Sequence, residues 1–371
     1  MEKSMQSILP QNVVQALCHT LVHSLWQGLL LALLTGLIIV LTRNAGAALR
    51  YRLLVSALLV FTVCTVLTLL AELTSPNGET SRLTGFTGWL TGFNYGLKFI
   101  HEHAENIIWI WLLMVSAQWY RLLFGLYLMQ RLKRVLVKPV SRFWQEKAAY
   151  LSRELGILQT IRLLESAIAK VPLVIGYLKP VILIPVGLVN SLVPEQVETI
   201  LLHELAHIRR QDYLVNILQT VLSTLFFFNP AVLWLSWLIR LERENCCDDV
   251  VVNYTQNNIG YIQALVHFEE YRLGLPRQAV ALTGRQGSML GRLERIAGGK
   301  NRSLGKLEAI ALAVVLLLTT VFIAVSPQHS VRSLLKAPPA GVASTSNRDF
   351  QTKKKAEADA AERTRRKESS P

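Results

Sequence analysis

The string His203-Glu204-Leu205-Ala206-His207 sets two imidazoles four residues apart, with a carboxylate directly after the first. On a helix, positions i and i+4 share a face, so both rings can reach one metal ion, and zinc is the ion this pattern suits. Glu204 then stands where its carboxylate can take a proton from a water activated at that ion. Catalytic zinc has three protein ligands and one open position, so a third donor must come from elsewhere in the chain. The downstream acids are Glu242, Glu244, Asp248, Asp249, Glu269 and Glu270, with His267 among them. Glu244 and Asp248 are again i and i+4 on one helix face, from which Glu242 points away. One acid can hold the metal while the other orients a ligating histidine. The expected assignment is Glu244 as ligand and Asp248 as the orienting carboxylate. His267 with Glu269 and Glu270 is a lesser candidate, for stabilising a transition state.

These residues need helices to position them. The HExxH helix opens at Pro194-Glu195-Gln196, a proline and an early acid that suit a helix N-terminus, and closes on Arg209-Arg210. Asp212 is expected to cap the helix that follows. The apolar runs Leu214–Phe228 and Ala231–Ile239 are separated by Asn229-Pro230, which reads as two helices joined by a sharp turn. They fit either a buried core or a re-entrant pair in the membrane. The second continues as helix through Leu241–Val250, carrying Glu244 and Asp248. Upstream lie a helix at Trp144–Leu155 and short strands near Ile161–Leu164 and Leu173–Ile175. The runs 171–176 and 179–185 read as two β segments around a glycine-containing turn. Pro172, Pro180 and Pro185 predict edge strands, which can accept an extended peptide.

The composition says what kind of protein carries this site. Of 371 residues, 51% are hydrophobic and 17% charged, against about 25% charged in ordinary soluble domains. Mean hydropathy is +0.34. A disordered chain and a disulfide-stapled mini-protein are excluded, and a purely water-soluble globule is disfavoured. Four runs have the length of a membrane span: 21–41, 53–73, 107–129 and 309–325. The third contains Gln118 and Arg121, whose charge can snorkel to an interface. Basic residues flank the spans asymmetrically. Arg43, Arg50 and Arg52 follow the first, Arg131 to Arg142 follow the third, and Arg292 to Lys306 precede the fourth. The loop between the second and third has only Arg82 and Lys98 against three glutamates. The positive-inside trend therefore puts the N-terminus and the C-terminal tail outside and residues 131–306 in the cytoplasm. The net charge of +14 lies beside spans and in the tail, so no direct nucleic-acid partner is expected. Cys18, Cys64, Cys246 and Cys247 read as incidental thiols of a reducing compartment.

The expected fold class is a mainly α polytopic membrane protein with about four transmembrane helices and a cytoplasmic α+β zinc-peptidase domain. Residues 1–130 form the membrane region, 131–306 the peptidase, 307–326 the last span, and 327–371 a basic tail of disordered composition. A basic stretch at 272–306 is a candidate for self-cleavage.

Taken together, Pro172…Gly176…Pro180–Pro185, HELAHIRRQDY, FNPAVLW and RENCCDD closely resemble the BlaR/MecR-type membrane metallopeptidase family over about residues 165–250. The resemblance implies a gluzincin-type zinc endopeptidase of the bacterial inner membrane. It assigns His203, His207 and Glu244 as metal ligands, Glu204 as catalytic base and Asp248 as the motif's aspartate. It also implies an outside signal relayed to proteolytic loss of a winged-helix repressor, often with self-cleavage. A second copy of the chain is kept as a candidate partner. Antibiotic-sensing members carry a penicillin-binding sensor domain after the last span. Here only Ser326–Pro371 follows, so β-lactam sensing by this chain alone is not expected. Two other readings of the site stay open: an intramembrane or prenyl-type protease, and a non-catalytic signalling receptor with a structural zinc.

Overall fold

The apolar runs fold as long helices whose outward faces stay apolar. The computed structural model describes residues 10–74, 102–132, 135–169, 171–176, 179–273, 287–298 and 304–325. Helices α1 (Gln11–Leu41), α2 (Ala47–Thr74) and α3 (Ala104–Leu132) are each long and apolar enough to cross a membrane, α3 over Ala104–Leu128. Leu37, Val40, Val60, Val63 and Leu67 remain exposed on them, a surface that suits lipid and not water. The helix α1 begins ten residues ahead of the expected span, at Gln11. Arg121 is exposed on α3 and lines a cavity of about 330 Å³ with Gln118, Leu122, Thr220 and Thr224.

After α3 come β1 (Val137–Pro139), α4 (Arg142–Glu154), β2 (Arg162–Ser166), β3 (Leu173–Ile175), β4 (Val181–Pro185) and the short α5 (Leu188–Ser191). The sheet order is β1-β2-β4-β3, with β2 parallel to β4 and both outer pairs antiparallel. The strand β3 is an edge, as predicted. Its neighbour β4 is not, which corrects the expectation drawn from Pro180 and Pro185. Pro180 precedes the strand and Pro185 is its last residue, so neither removes a donor from its middle. Instead β4 is buried, and Leu163, Ile182 and Ile184 pack with Val197, Leu201, Leu202 and Leu205 of α6 (Pro194–Arg210). The sheet is thereby a floor under the HExxH helix.

Helices α7 (Asp212–Leu225) and α8 (Pro230–Thr255) follow, then α9 (Asn258–Leu273), α10 (Gly287–Gly298) and α11 (Lys306–Val325). The turn between α7 and α8 forms at Asn229-Pro230 as the sequence predicts. Asn229 Oδ1 accepts from the amides of Ala231 and Val232, and Asn229 Nδ2 donates to the Ser24 carbonyl of α1. A Cβ on Gly28 would meet the Asn229 amide at 2.5 Å, so only glycine allows α1 this approach. Trp111 of α3 donates to the Leu225 carbonyl, and Phe226 packs edge-on against Phe61 of α2. Phe61 lies about 21 Å along α2 from Ala47 at 1.5 Å per residue, so the hairpin tip runs deep beside the membrane helices. Leu222, Val232, Leu235, Leu238 and Ile239 share one core with Leu31, Ile38, Leu54 and Leu58 of α1 and α2.

The fourth apolar run is the helix α11, and it packs on α1, where a Cβ on Gly36 would meet Leu312. Trp234 of α8 donates to Glu308 at its start. The architecture is mainly α and polytopic, with the sheet confined to residues 137–185. The expected outer loop and the C-terminal tail lie outside the described residues. Part of the basic 272–306 stretch, the candidate for self-cleavage, is the helix α10, which Arg292 ties to the buried Asp248 and Arg295 to the partly exposed Asp249.

Candidate metal centre

Two helices bring the donors together. Within α6, the i and i+4 spacing sets the His203 and His207 rings edge to face, 5.0 Å between centroids. From α8, Glu244 points between them. Its Oε2 lies 3.5 Å from His203 Nε2 and its Oε1 3.9 Å from His207 Nε2. One ligand atom from each of these three residues lies within 4.8 Å of the other two.

The other ring nitrogens face away from this point and are held. His203 Nδ1 lies 3.0 Å from the Tyr261 hydroxyl, which donates to Asp248 Oδ1 at 2.7 Å. The hydroxyl therefore accepts the proton of His203 Nδ1, and Nε2 keeps its lone pair toward Glu244 in the neutral ring. Asp248 also stands 3.4 Å from His203 Nδ1 directly. His207 Nδ1 donates to Asp212 Oδ2 at 2.9 Å, which leaves its Nε2 in the same state. Each imidazole is thus oriented by a carboxylate behind it, the arrangement that fixes tautomer and raises basicity in metal-binding histidines.

The charges around the site are strongly coupled. Asp248 is fully buried, and burial alone would raise its pKa. Arg292 of α10, forked onto both its oxygens at 2.8 and 2.6 Å, and His203 hold it far below the usual carboxylate range instead. Glu244 is held down to about 2: burial opposes its charge, but His203, His207 and Arg292 outweigh it. Burial opposes charge on His203, but the carboxylates of Asp248 and Glu244 outweigh it and push its pKa up to about 9, so a metal ion at Nε2 would have to displace the proton that Glu244 favours there. Glu204 is half-buried on α6, and among the described residues its carboxylate makes no hydrogen bond or ion pair, so both oxygens are open to a ligand or a proton.

A second cluster, His207 with Asp212 and Cys247, is equally tight. Cys247 Sγ lies 3.3 Å from His207 Nδ1 and 3.7 Å from Asp212 Oδ2. It fits a metal less well. Burial pushes the Cys247 thiol up, so it stays protonated, and His207 Nδ1 already serves Asp212. The donor set of two imidazoles and one carboxylate around Glu244, with every back-side nitrogen satisfied, is the one that fits a zinc ion with an open position.

Several partners were not expected. Asp212 does not cap α7. Gln211, in the left-handed region at φ +54°, occupies the cap position, and the turned chain carries the Asp212 carboxylate back onto His207 and Arg210. Tyr261 and Arg292 give no sequence signal of their own, Arg292 having counted only as an orienting charge. His267 bonds Gln196, on the first turn of α6, and is not among the converging donors. Glu242 does point away, onto Arg50 of α2. All four cysteines are free thiols. Replacing Asp248 by Asn removes the charge opposite Arg292 and the acceptor for Tyr261. Zinc affinity, measured by titration against a competing chelator, is expected to fall by about 10–100-fold. Unchanged affinity would remove Asp248 from any orienting role.

A family model described as BlaR1 peptidase M56 matches residues 93–296, more than half of the chain. The chain belongs to the BlaR1 peptidase family. That is a family of metallopeptidases, and its matched span runs from ahead of α3 into α10 and includes every donor described above. Curated relatives agree. A stretch of 99 residues, 27% of this chain, is 32% identical to the regulatory protein BlaR1 of Bacillus licheniformis. Another of 77 residues, 21% of this chain, is 34% identical to the methicillin resistance mecR1 proteins of Staphylococcus aureus and Staphylococcus epidermidis. The matches span only 16% and 13% of those relatives' own lengths. With three apolar helices of spanning length, this member of the family is a bacterial membrane protein.

Proposed function

We propose that this protein is a membrane-embedded zinc endopeptidase that transduces a signal by cutting a cytoplasmic regulator. The observation that carries the reading is the convergence of His203 Nε2, His207 Nε2 and the Glu244 carboxylate, with each histidine backed by a separate acid. These three residues would hold the ion. Zinc bound there supplies Lewis acidity, polarising a scissile carbonyl and making water a better acid.

The chain's own groups supply the rest. Glu204, open on α6, accepts the proton of the attacking water and returns it to the leaving amine. Asp248 through Tyr261, and Asp212 directly, keep both imidazoles aimed at the ion while charge changes in front of them. The edge strand β3 offers unpaired backbone groups on which an extended substrate can be held. The peptidase unit is residues 131–306, behind the three-span region 1–130 and ahead of the span 307–326. The lysine and arginine pattern supports a cytoplasmic peptidase, with the N-terminus and tail outside. The relatives' names are those of regulatory and resistance proteins, which supports a role in signalling. A winged-helix repressor is the proposed substrate class, with the chain itself as a second one.

The deep seating of the α7–α8 hairpin among membrane helices favours one second reading, an intramembrane protease. Both are tested by co-expressing the full chain with a winged-helix repressor and mapping new N-termini in repressor, chain and membrane proteins, before and after zinc is stripped and restored. Zinc-dependent cuts in the repressor's soluble part are expected. Cuts confined to lipid-embedded segments would favour the second reading. Wild-type chain that holds zinc in its site yet makes no cuts under any condition would leave a structural-zinc receptor.

A further inference from the structure

The first turn of α2 reaches both halves of the metal centre through two consecutive side chains. Arg50 Nε lies 3.2 Å from Glu242 Oε1, with the two side chains 1% and 0% exposed. Glu242 also accepts from Asn245 Nδ2 at 3.0 Å, which fastens it within α8, and it stands two residues before Glu244. Tyr51 turns the other way. Its hydroxyl lies 3.5 Å from Asp212 Oδ1, while Asp212 Oδ2 holds His207 Nδ1. Arg210 lies over the Tyr51 ring, 4.6 Å from its centroid, and its Nε donates to the same carboxylate.

A fully buried ion pair is a poor way to gain stability, because desolvating two charges offsets most of their attraction. It is a good way to fix one relative placement of two helices, since any other leaves a charge unpaired in the interior. The pair joins a membrane helix to the helix that carries Glu244. Tyr51 joins the same membrane helix to the acid that sets the His207 ring.

We infer that Arg50 and Tyr51 are positioning residues of the metal centre: α2 sets the placement of Glu244 through Glu242 and the orientation of His207 through Asp212, so the site is complete only with α2 seated against α8. This rests on the peptidase reading of His203, His207 and Glu244. It also names the membrane element through which a signal can reach the peptidase. A shift of α2 moves the two contacts together, and they act on two of the three ligands.

The test uses the full chain in detergent or lipid, loaded with cobalt in place of zinc, since cobalt's visible bands report ligand geometry whether or not the enzyme turns over. The variants are Tyr51→Phe, Arg50→Lys, Glu242→Gln and the reciprocal pair Arg50→Glu with Glu242→Arg. For each, the cobalt spectrum, the zinc affinity, thermal unfolding, and kcat and KM on a cut peptide are compared with wild type. Tyr51→Phe is expected to keep its unfolding temperature and KM while its spectrum shifts and its zinc affinity and kcat fall by up to about tenfold. Glu242→Gln is expected to lose more, and the reciprocal pair to recover part of that loss, as coupled partners do. The proposal is overturned if the folded fraction of every variant shows the wild-type spectrum, affinity and kcat, for then these residues only stabilise the fold. Wild type that binds neither cobalt nor zinc at these ligands overturns the peptidase reading itself, and with it this proposal. Normal binding with no cleavage overturns only the catalytic part, because spectrum and affinity still read the positioning.

Discussion

Glu204→Gln is expected to keep one zinc per chain and lose peptide cleavage. The substitution preserves the size of the side chain and its place on α6 between the two histidines, so the ligand geometry has no reason to change. What it removes is the ability to accept a proton. A positioned general base contributes about 10²–10⁴-fold to a rate, and cleavage should fall by that order. The carboxylate makes no hydrogen bond or ion pair among the described residues, so little structure is lost with its charge. Zinc content by elemental analysis and the cleavage rate of the same membranes decide the matter together. A variant that holds zinc and cuts at the wild-type rate would remove Glu204 from the chemistry. One that loses zinc would show that the residue supports the site's structure instead.

The grouping of donors was legible because it depends on helical spacing alone. Positions 203 and 207, and 244 and 248, share faces by periodicity, and a helix continuing unbroken from the tryptophan-rich run keeps both acids in register. The α7–α8 turn was legible for the same kind of reason, a proline that no helix interior tolerates. What the sequence did not show are contacts between elements far apart in the chain. Tyr261 and Arg292 reach Asp248 from two other helices, and no local pattern marks a tyrosine or an arginine for that task. Asp212 was misread from a true local rule. An acid at the start of a helix suits a cap, but the left-handed Gln211 already turns the chain, and the carboxylate is worth more against His207 and Arg210. Pro185 misled in the same way, since a proline at a strand's last position leaves the rest of the strand free to pair on both sides.

Those long-range contacts also explain why the expected orientation charges tell only half a story. Arg50 and Arg292 both entered the sequence argument as cations flanking spans. In the fold each is an interior partner of an acid on α8, Arg50 of Glu242 and Arg292 of Asp248. The helix α8 is therefore held by α2 on one side and by α10 on the other. The acids so fixed stand two residues before and four residues after Glu244 on the same helix.

Glu244→Ala is expected to abolish zinc binding at working concentrations, a larger loss than Asp248→Asn produces. Removing an orienting partner costs about 10–100-fold in affinity, and removing a ligand atom itself must exceed that. Two imidazoles alone leave a zinc ion short of the three protein ligands a catalytic site provides. The side chain is not needed to hold the fold: Asp248 keeps its fork from Arg292, and Glu242 keeps Arg50. The comparison with Cys247→Ala makes the assignment sharp. If the ion sits between the two Nε2 atoms and Glu244, Cys247→Ala should leave affinity within a few-fold of wild type, since it removes only a protonated thiol beside His207 Nδ1. If instead Glu244→Ala keeps its zinc and Cys247→Ala loses it, the metal belongs to His207, Asp212 and Cys247. The His207 ring would then present Nδ1 to the metal, and Glu204 would lose its place beside it.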